Sequence, residues 1–323
     1  MKQLLQEQQK AVNELSRQYT AEQFVIEWIA NGKAEGTMRQ IIKLFQENKV
    51  DKARKMLRPM MSAMEGSHQL VEASEDDLRE ELGNSVKPYR FSFLQEDFWP
   101  GGVHVIGAPT GVGKTTTLLN MALEYILDNK IVLFWAREAT ASELMRKLYV
   151  IKQDKVHNVK TSYKESFNQR DQVLDLYKSF EGRFQIIADQ QATGAALRSH
   201  YTKMPVKPDL ILVDYMQILD EEDQRQTIRE NMIRSISEMR ELANESKKVL
   251  VVATQINMDG NPRESSAIKD NAVLMLSIRR KMDKDQFGNE TRSPFLQVKV
   301  DKNRHGPLGD YDVIFEDETG RIK

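Results

Sequence analysis

Two textures divide the chain. Up to about residue 84, apolar positions recur at three- and four-residue intervals: Val25, Trp28 and Ile29, then Met38, Ile41, Ile42 and Phe45, with Gly32 and Gly36 between them. That spacing predicts helices, and a further helical pattern runs over 51–64. Ser74 followed by Glu75, Asp76 and Asp77 reads as an N-cap with acids in the first turn, so 74–82 is expected as a solvated helix. Its alternative reading is a linker helix that docks on a neighbour. Gly83, Pro88 and Tyr89-Arg90-Phe91 mark the change of texture, and the boundary is set after residue 84. Beyond it, short apolar runs alternate with longer helical stretches: Val103–Ile106, Ile131–Trp135, Phe184–Ile187, Leu210–Val213 and Leu250–Ala253. Near-continuous apolar strands separated by helices predict a mainly parallel sheet covered on both faces. The helix expected over 227–244 places Ile228, Met232, Ile236, Met239 and Leu242 on one side, as core packing requires. After it the pattern becomes hairpin-like: Ala272–Ile278, Phe295–Val300 and Tyr311–Phe315, with Gly288, Gly306 and Gly309 at the turns. The fold class is therefore α/β, with late antiparallel strands added to a parallel sheet. A helical unit (1–84) precedes the α/β domain (85–323).

Composition narrows the chemistry. The 323 residues carry a net charge of −1, so no global basic field marks a nucleic-acid partner, and any anionic polymer must meet a local patch. There are no cysteines, which excludes disulfides and thiolate catalysis and suits a reducing cytosol. The five histidines are scattered and form no His-x-x-x-His pair. The first ten residues lack the apolar centre of a signal peptide, and no apolar run is long enough to cross a bilayer. A cytoplasmic protein without a membrane partner is expected.

The strongest chemical signal comes directly after the first strand. Ala108-Pro109-Thr110-Gly111-Val112-Gly113-Lys114-Thr115-Thr116 has the spacing of a P-loop, with Ala108 where the pattern has glycine. Its glycines let backbone N–H groups curl around a phosphate at a helix N-terminus. Lys114 would reach the β- and γ-phosphates of ATP, and the Thr115 hydroxyl would ligate Mg²⁺. Leu210–Val213 ends in Asp214, the pattern of a strand-end carboxylate that helps hold Mg²⁺. Glu138 leaves the strand ending at Trp135 and is assigned as the general base for the attacking water. That assignment takes its strand to lie beside the P-loop strand; a helix-start acid is the alternative. Gln255, at a strand tip before Asn257, is positioned to sense the γ-phosphate. Lys302 and Arg304 stand in a late turn, either as a solvated basic turn or as cations reaching a neighbouring subunit's γ-phosphate. Such arginines raise turnover by roughly 10³–10⁵-fold.

Six motifs in order resemble those of DnaB-type replicative helicases of bacteria and phages, over roughly 90–323. They are the P-loop; Trp135-Ala136-Arg137-Glu138-Ala139; Asp214-Tyr215-Met216-Gln217; Gln255-Ile256-Asn257; Arg263-Glu264-Ser265-Ser266-Ala267-Ile268; and Lys302 to Gly309. The resemblance implies a RecA-like core in a homohexameric ring that hydrolyses ATP with Mg²⁺ between subunits. It also implies single-stranded DNA along Arg263, Glu264 and Ser266, and a helicase loader, primase or polymerase as further partners. Ser266 stands where the family has glycine, the segment before Arg263 is short, and residues 1–84 match no family motif, so a phage or mobile-element member is expected. A RecA- or RadA-like recombinase and a non-motor RecA-fold ATPase are the alternatives, and the Lys302–Gly309 turn favours the helicase.

Overall fold

The computed structural model describes residues 43, 44, 46, 47, 49, 52 and 87–323, apart from 138, 189–192, 215–227, 258–265 and 285–289. The chain divides between Asn84 and Ser85, and the strands and helices named below belong to the second unit. The helices expected before residue 84, the 74–82 segment among them, lie outside the described residues except at those six positions.

The apolar runs become strands β1 (Val103–Ala108), β2 (Val132–Ala136), β3 (Phe184–Ala188), β4 (Leu210–Asp214) and β5 (Val249–Gln255). Helices α1 (Lys114–Leu127), α2 (Ala141–His157), α3 (Arg170–Ser179), α4 (Gly194–Lys203) and α5 (Ile228–Ser246) connect them. Then come α6 (Ser266–Asn271), β6 (Leu274–Lys284), β7 (Glu290–Asn303) and β8 (Gly309–Ile314). The sheet order is β3-β2-β4-β5-β1-β6-β7-β8.

Successive residues of the central strands point to opposite layers, as the two-residue period demands. Ile106, Phe134, Leu212 and Val251 pack with α1, α2 and α3, whereas Val105, Leu133, Ile211 and Val252 pack with α4, α5 and α6. Each is fully buried, and burial of such a side chain contributes about 1.5–3 kcal/mol. This explains why the strands read as continuous apolar runs: neither face meets water. Of the stripe expected on α5, Met232, Ile236, Met239 and Leu242 lie in the core, and the side chain of Ile228 is outside the described ones.

Two features depart from the sequence reading. The first late strand, β6, is not simply antiparallel: it runs parallel to β1 on one side and antiparallel to β7 on the other, so six strands are parallel. The second concerns β2. It does not lie beside the P-loop strand, because β4 and β5 stand between β2 and β1. Hydrophobic period identifies a strand but carries no information about its neighbour, and the adjacency expected for Glu138 fails for that reason.

β1 also contains a buried base. His104 is fully buried against the ring of Phe98 (4.9 Å between centroids), with Nδ1 3.3 Å from the Leu250 carbonyl. Burial disfavours the imidazolium and lowers its pKa to about 4. A folded value below the unfolded one means that this contribution is complete above pH 6.5 and is lost as pH falls towards 4. By pH 5 the loss is about 2 kcal/mol. Urea unfolding of the His104→Leu variant should therefore show a shallower fall in stability between pH 7 and 5 than the parent chain; equal slopes would refute the assignment.

Candidate functional site

The site begins where β1 gives way to α1. Ala108 is the buried last residue of β1, paired with Gln255 of β5 in an ordinary extended conformation. A Cβ is compatible with that backbone, which accounts for alanine at a position the motif gives to glycine. The demanding positions lie further on: Gly111 (φ 77°) and Gly113 (φ 110°) occupy the left-handed region. Gly113 is the N-cap of α1, so no side chain caps the first-turn amides, and they face the loop as an anion cradle.

Six predicted residues converge here. The Thr115 hydroxyl donates to Asp214 Oδ2 at 2.6 Å, joining the start of α1 to the end of β4. Asp214 is buried, and the Lys114 ammonium donates to the Ala108 carbonyl at 3.4 Å. Gln255 Nε2 donates to Thr110 Oγ1 at 2.6 Å, so the tip of β5 touches the loop that curls around phosphate. Together Thr115 and Asp214 form one hydroxyl and one carboxylate at a phosphate cradle, a donor set suited to Mg²⁺, which commonly keeps water and substrate oxygens as its other ligands. Among the described residues no group of three or more His, Asp or Glu side chains could hold a metal by itself.

Glu138 lies outside the described residues, but the path on either side of it is defined. Ala136 pairs with Asp214, and the Arg137 amide donates to the Asp214 carbonyl at 3.1 Å. Three residues after Arg137, Thr140 caps α2: the Glu143 amide donates to Thr140 Oγ1 at 3.3 Å, while Glu143 Oε2 accepts from the Thr140 amide at 2.9 Å. The β2 exit is therefore anchored beside Asp214 rather than beside the P-loop strand.

The late turn lies at the end of β7. Arg304 is exposed, and its amide donates to the Val273 carbonyl at 3.0 Å. Lys302 is engaged within its own chain: Nζ donates to the Lys269 and Asp270 carbonyls, both at 2.8 Å. Arg263 and Glu264 lie outside the described residues, and Ser266 is the first residue of α6.

Sequence reading missed the C-terminal segment. A Cβ built on Gly113 would lie 3.6 Å from Phe315 Cε2, and the Arg280 guanidinium stands over the Phe315 ring at 4.8 Å while pairing with Asp317. Asn120, fully buried on α1, donates to the Thr116 and Gly320 carbonyls (2.8 and 2.9 Å) and accepts from the Ile322 amide at 3.1 Å. A lone amide in the run Leu118-Leu119-Asn120-Met121-Ala122 was the available signal, since a buried polar side chain must find partners.

The family model for the DnaB-like helicase C terminal domain matches residues 93–323. A probable plasmid replicative DNA helicase of Chlamydia psittaci is 23% identical over 245 residues, covering 69% of this chain and 51% of that protein. The chain thus spans about half the length of this curated relative. Among solved structures, a DnaB-like replicative helicase studied for its interactions with primase superposes with a TM-score of 0.62 at 18% identity, covering 92% of this chain and 76% of that one. A second solved structure, that of an ATPase domain, gives 0.57 at 17% identity, covering 84% of this chain and 97% of that one.

Proposed function

Because the chain belongs to the DnaB-like helicase family, we propose that it is an ATP-driven ring helicase that moves along single-stranded DNA and separates duplex. One observation carries the ATPase half of this reading: the Thr115 hydroxyl and the Asp214 carboxylate meet at 2.6 Å at the mouth of the P-loop. Lys114 and the amides of 110–116 would bind the phosphates of ATP, and Thr115 with Asp214 would hold Mg²⁺. Bound there, the ion would offset charge on the β- and γ-phosphates. Glu138 would take a proton from the attacking water, a role supported by the anchoring of Arg137 on Asp214. Gln255 would register the γ-phosphate through its contact with Thr110. Phe315, half-buried beside Gly113 under Arg280, offers an aromatic face for the base.

Arg304 would act on ATP held by a second copy, since it is exposed in its own subunit. A homohexameric ring with DNA at Arg263, Glu264 and Ser266 would fit this reading, and membership of the family supports it. The division at 84/85 supports reading residues 1–84 as a separate unit, and a loader, a primase or a polymerase are the partners to seek. Work in the cytoplasm belongs to the same reading; among the described residues no helix is long and apolar enough to cross a membrane.

The direct test is a forked duplex with one free single-stranded tail. Strand separation should require ATP and Mg²⁺ and disappear in Lys114→Ala. ATP hydrolysis without strand separation on either tail polarity would reject the helicase in favour of a non-motor ATPase, and long open filaments would favour the recombinase.

A further inference from the structure

The C-terminal end of α6 is held in an unusual way. A helix leaves its last carbonyls without internal partners, and a cation there is favourable. Lys302, far away in sequence on β7, supplies it through paired 2.8 Å bonds to Lys269 and Asp270. Beside it, Arg240 of α5 reaches Asn271 Oδ1 at 3.4 Å, and the Arg304 amide is tied to Val273, two residues past the helix. Four cations therefore gather at one helix end, Arg240, Lys269, Lys302 and Arg304, with Asp270 among them. Desolvation first, and repulsion from Arg304 next, hold the Lys302 ammonium below the ordinary lysine range, while Asp270 opposes them. Two neutral carbonyls are a weak counterpart for an ammonium in such company. A polyphosphate is a stronger one, because hydrogen bonds between ionised partners are about twice as strong as neutral ones.

We infer that Lys302 is a positioning residue that couples nucleotide to DNA: it pins α6 in its own subunit, and it leaves α6 when the polyphosphate of a second copy arrives at Arg304. This rests on the proposed reading that ATP is shared between subunits. α6 begins at Ser266, one of the residues assigned to DNA, so freeing its far end alters the footing of the DNA contact. Lys302 thereby joins two sites through one short helix with two discrete states, pinned and released.

The test uses the full chain with and without a non-hydrolysable ATP analogue and Mg²⁺. Hydrogen exchange over 266–272 reports the pin, and fluorescence anisotropy of labelled oligo-dT reports DNA affinity. In the parent chain the analogue should speed exchange over 266–272 by about tenfold or more, the scale of losing hydrogen bonds to a charged group, and change oligo-dT affinity. In Lys302→Met exchange should already be fast without nucleotide, and oligo-dT affinity should respond to the analogue by less than about twofold. Lys302→Arg, which can still donate to both carbonyls, should restore slow exchange. Slow exchange over 266–272 in nucleotide-free Lys302→Met, or a full nucleotide response of DNA affinity in that variant, would overturn the inference. If the parent chain binds neither the analogue nor oligo-dT, the underlying helicase reading fails with it; if the parent binds and responds but Lys302→Met does the same, only the role of Lys302 falls.

Discussion

Replacing Arg304 with alanine is expected to lower ATP turnover of the assembled protein by about 10³-fold or more, with little effect on stability. The side chain is exposed in its own chain, and the backbone bond from its amide to Val273 survives the substitution. Among the described residues no side-chain hydrogen bond or ion pair of Arg304 would be lost, so the expected loss of turnover is the one that follows from the proposed reach to a neighbour's phosphates. Complementation makes the test decisive. Lys114→Ala removes the phosphate ligand from its own P-loop but keeps Arg304, whereas Arg304→Ala does the reverse. Each variant alone should be inactive. Mixed in equal amounts and allowed to reassemble, about one interface in four joins an intact P-loop to an intact arginine, because a ring interface brings together two different surfaces. Recovered turnover would establish a shared site. Two inactive variants that stay inactive when mixed, or an Arg304→Ala ring that hydrolyses ATP at the parental rate, would exclude one.

The nucleotide cradle was legible in the sequence because its signals are local. Gly111, Gly113, Lys114 and Thr115 sit at fixed spacing within one turn, and the strands around them are buried on both faces, so apolar runs reveal them directly. Asp214 was legible for the same reason, as an acid that ends such a run. Strand order was not. β5 lies between β1 and β4, and β6 joins β1 in parallel, through pairings that side-chain period cannot encode. The placement of Glu138 beside the P-loop strand failed there. The observed pairing of Ala136 with Asp214 supports the same assignment by a different route, because it carries the β2 exit to the strand that ends in the acid proposed to hold Mg²⁺. Lys302 shows the complementary limit. Its motif pointed outward to a neighbour, while its bonds to Lys269 and Asp270 depend on a helix more than thirty residues earlier in the chain. Phe315 and Asn120 belong to this class too: an aromatic at a strand end and an amide in an apolar helix acquire meaning only when the C-terminal segment folds back onto α1.

A second large effect is expected at Asp214. Asp214→Asn keeps the shape of the side chain and an oxygen able to accept from Thr115, but it removes the charge. If the carboxylate serves only to hold the end of β4 against α1, the variant should melt at a lower temperature and keep its dependence on Mg²⁺. If Asp214 and Thr115 instead hold one ion, turnover should fall by about 10²–10³-fold, the scale of a few kcal/mol of charge stabilisation. The half-saturating Mg²⁺ concentration should rise in parallel. Thr115→Val separates the two accounts further, since it removes the 2.6 Å hydrogen bond and the hydroxyl ligand together. Two residues that act through one ion cannot be lost independently, so the double variant should be only a few-fold worse than Asp214→Asn alone. Multiplicative losses in that cycle, with Mg²⁺ dependence unchanged in each variant, would show that the 2.6 Å contact is structural and that the ion is held elsewhere.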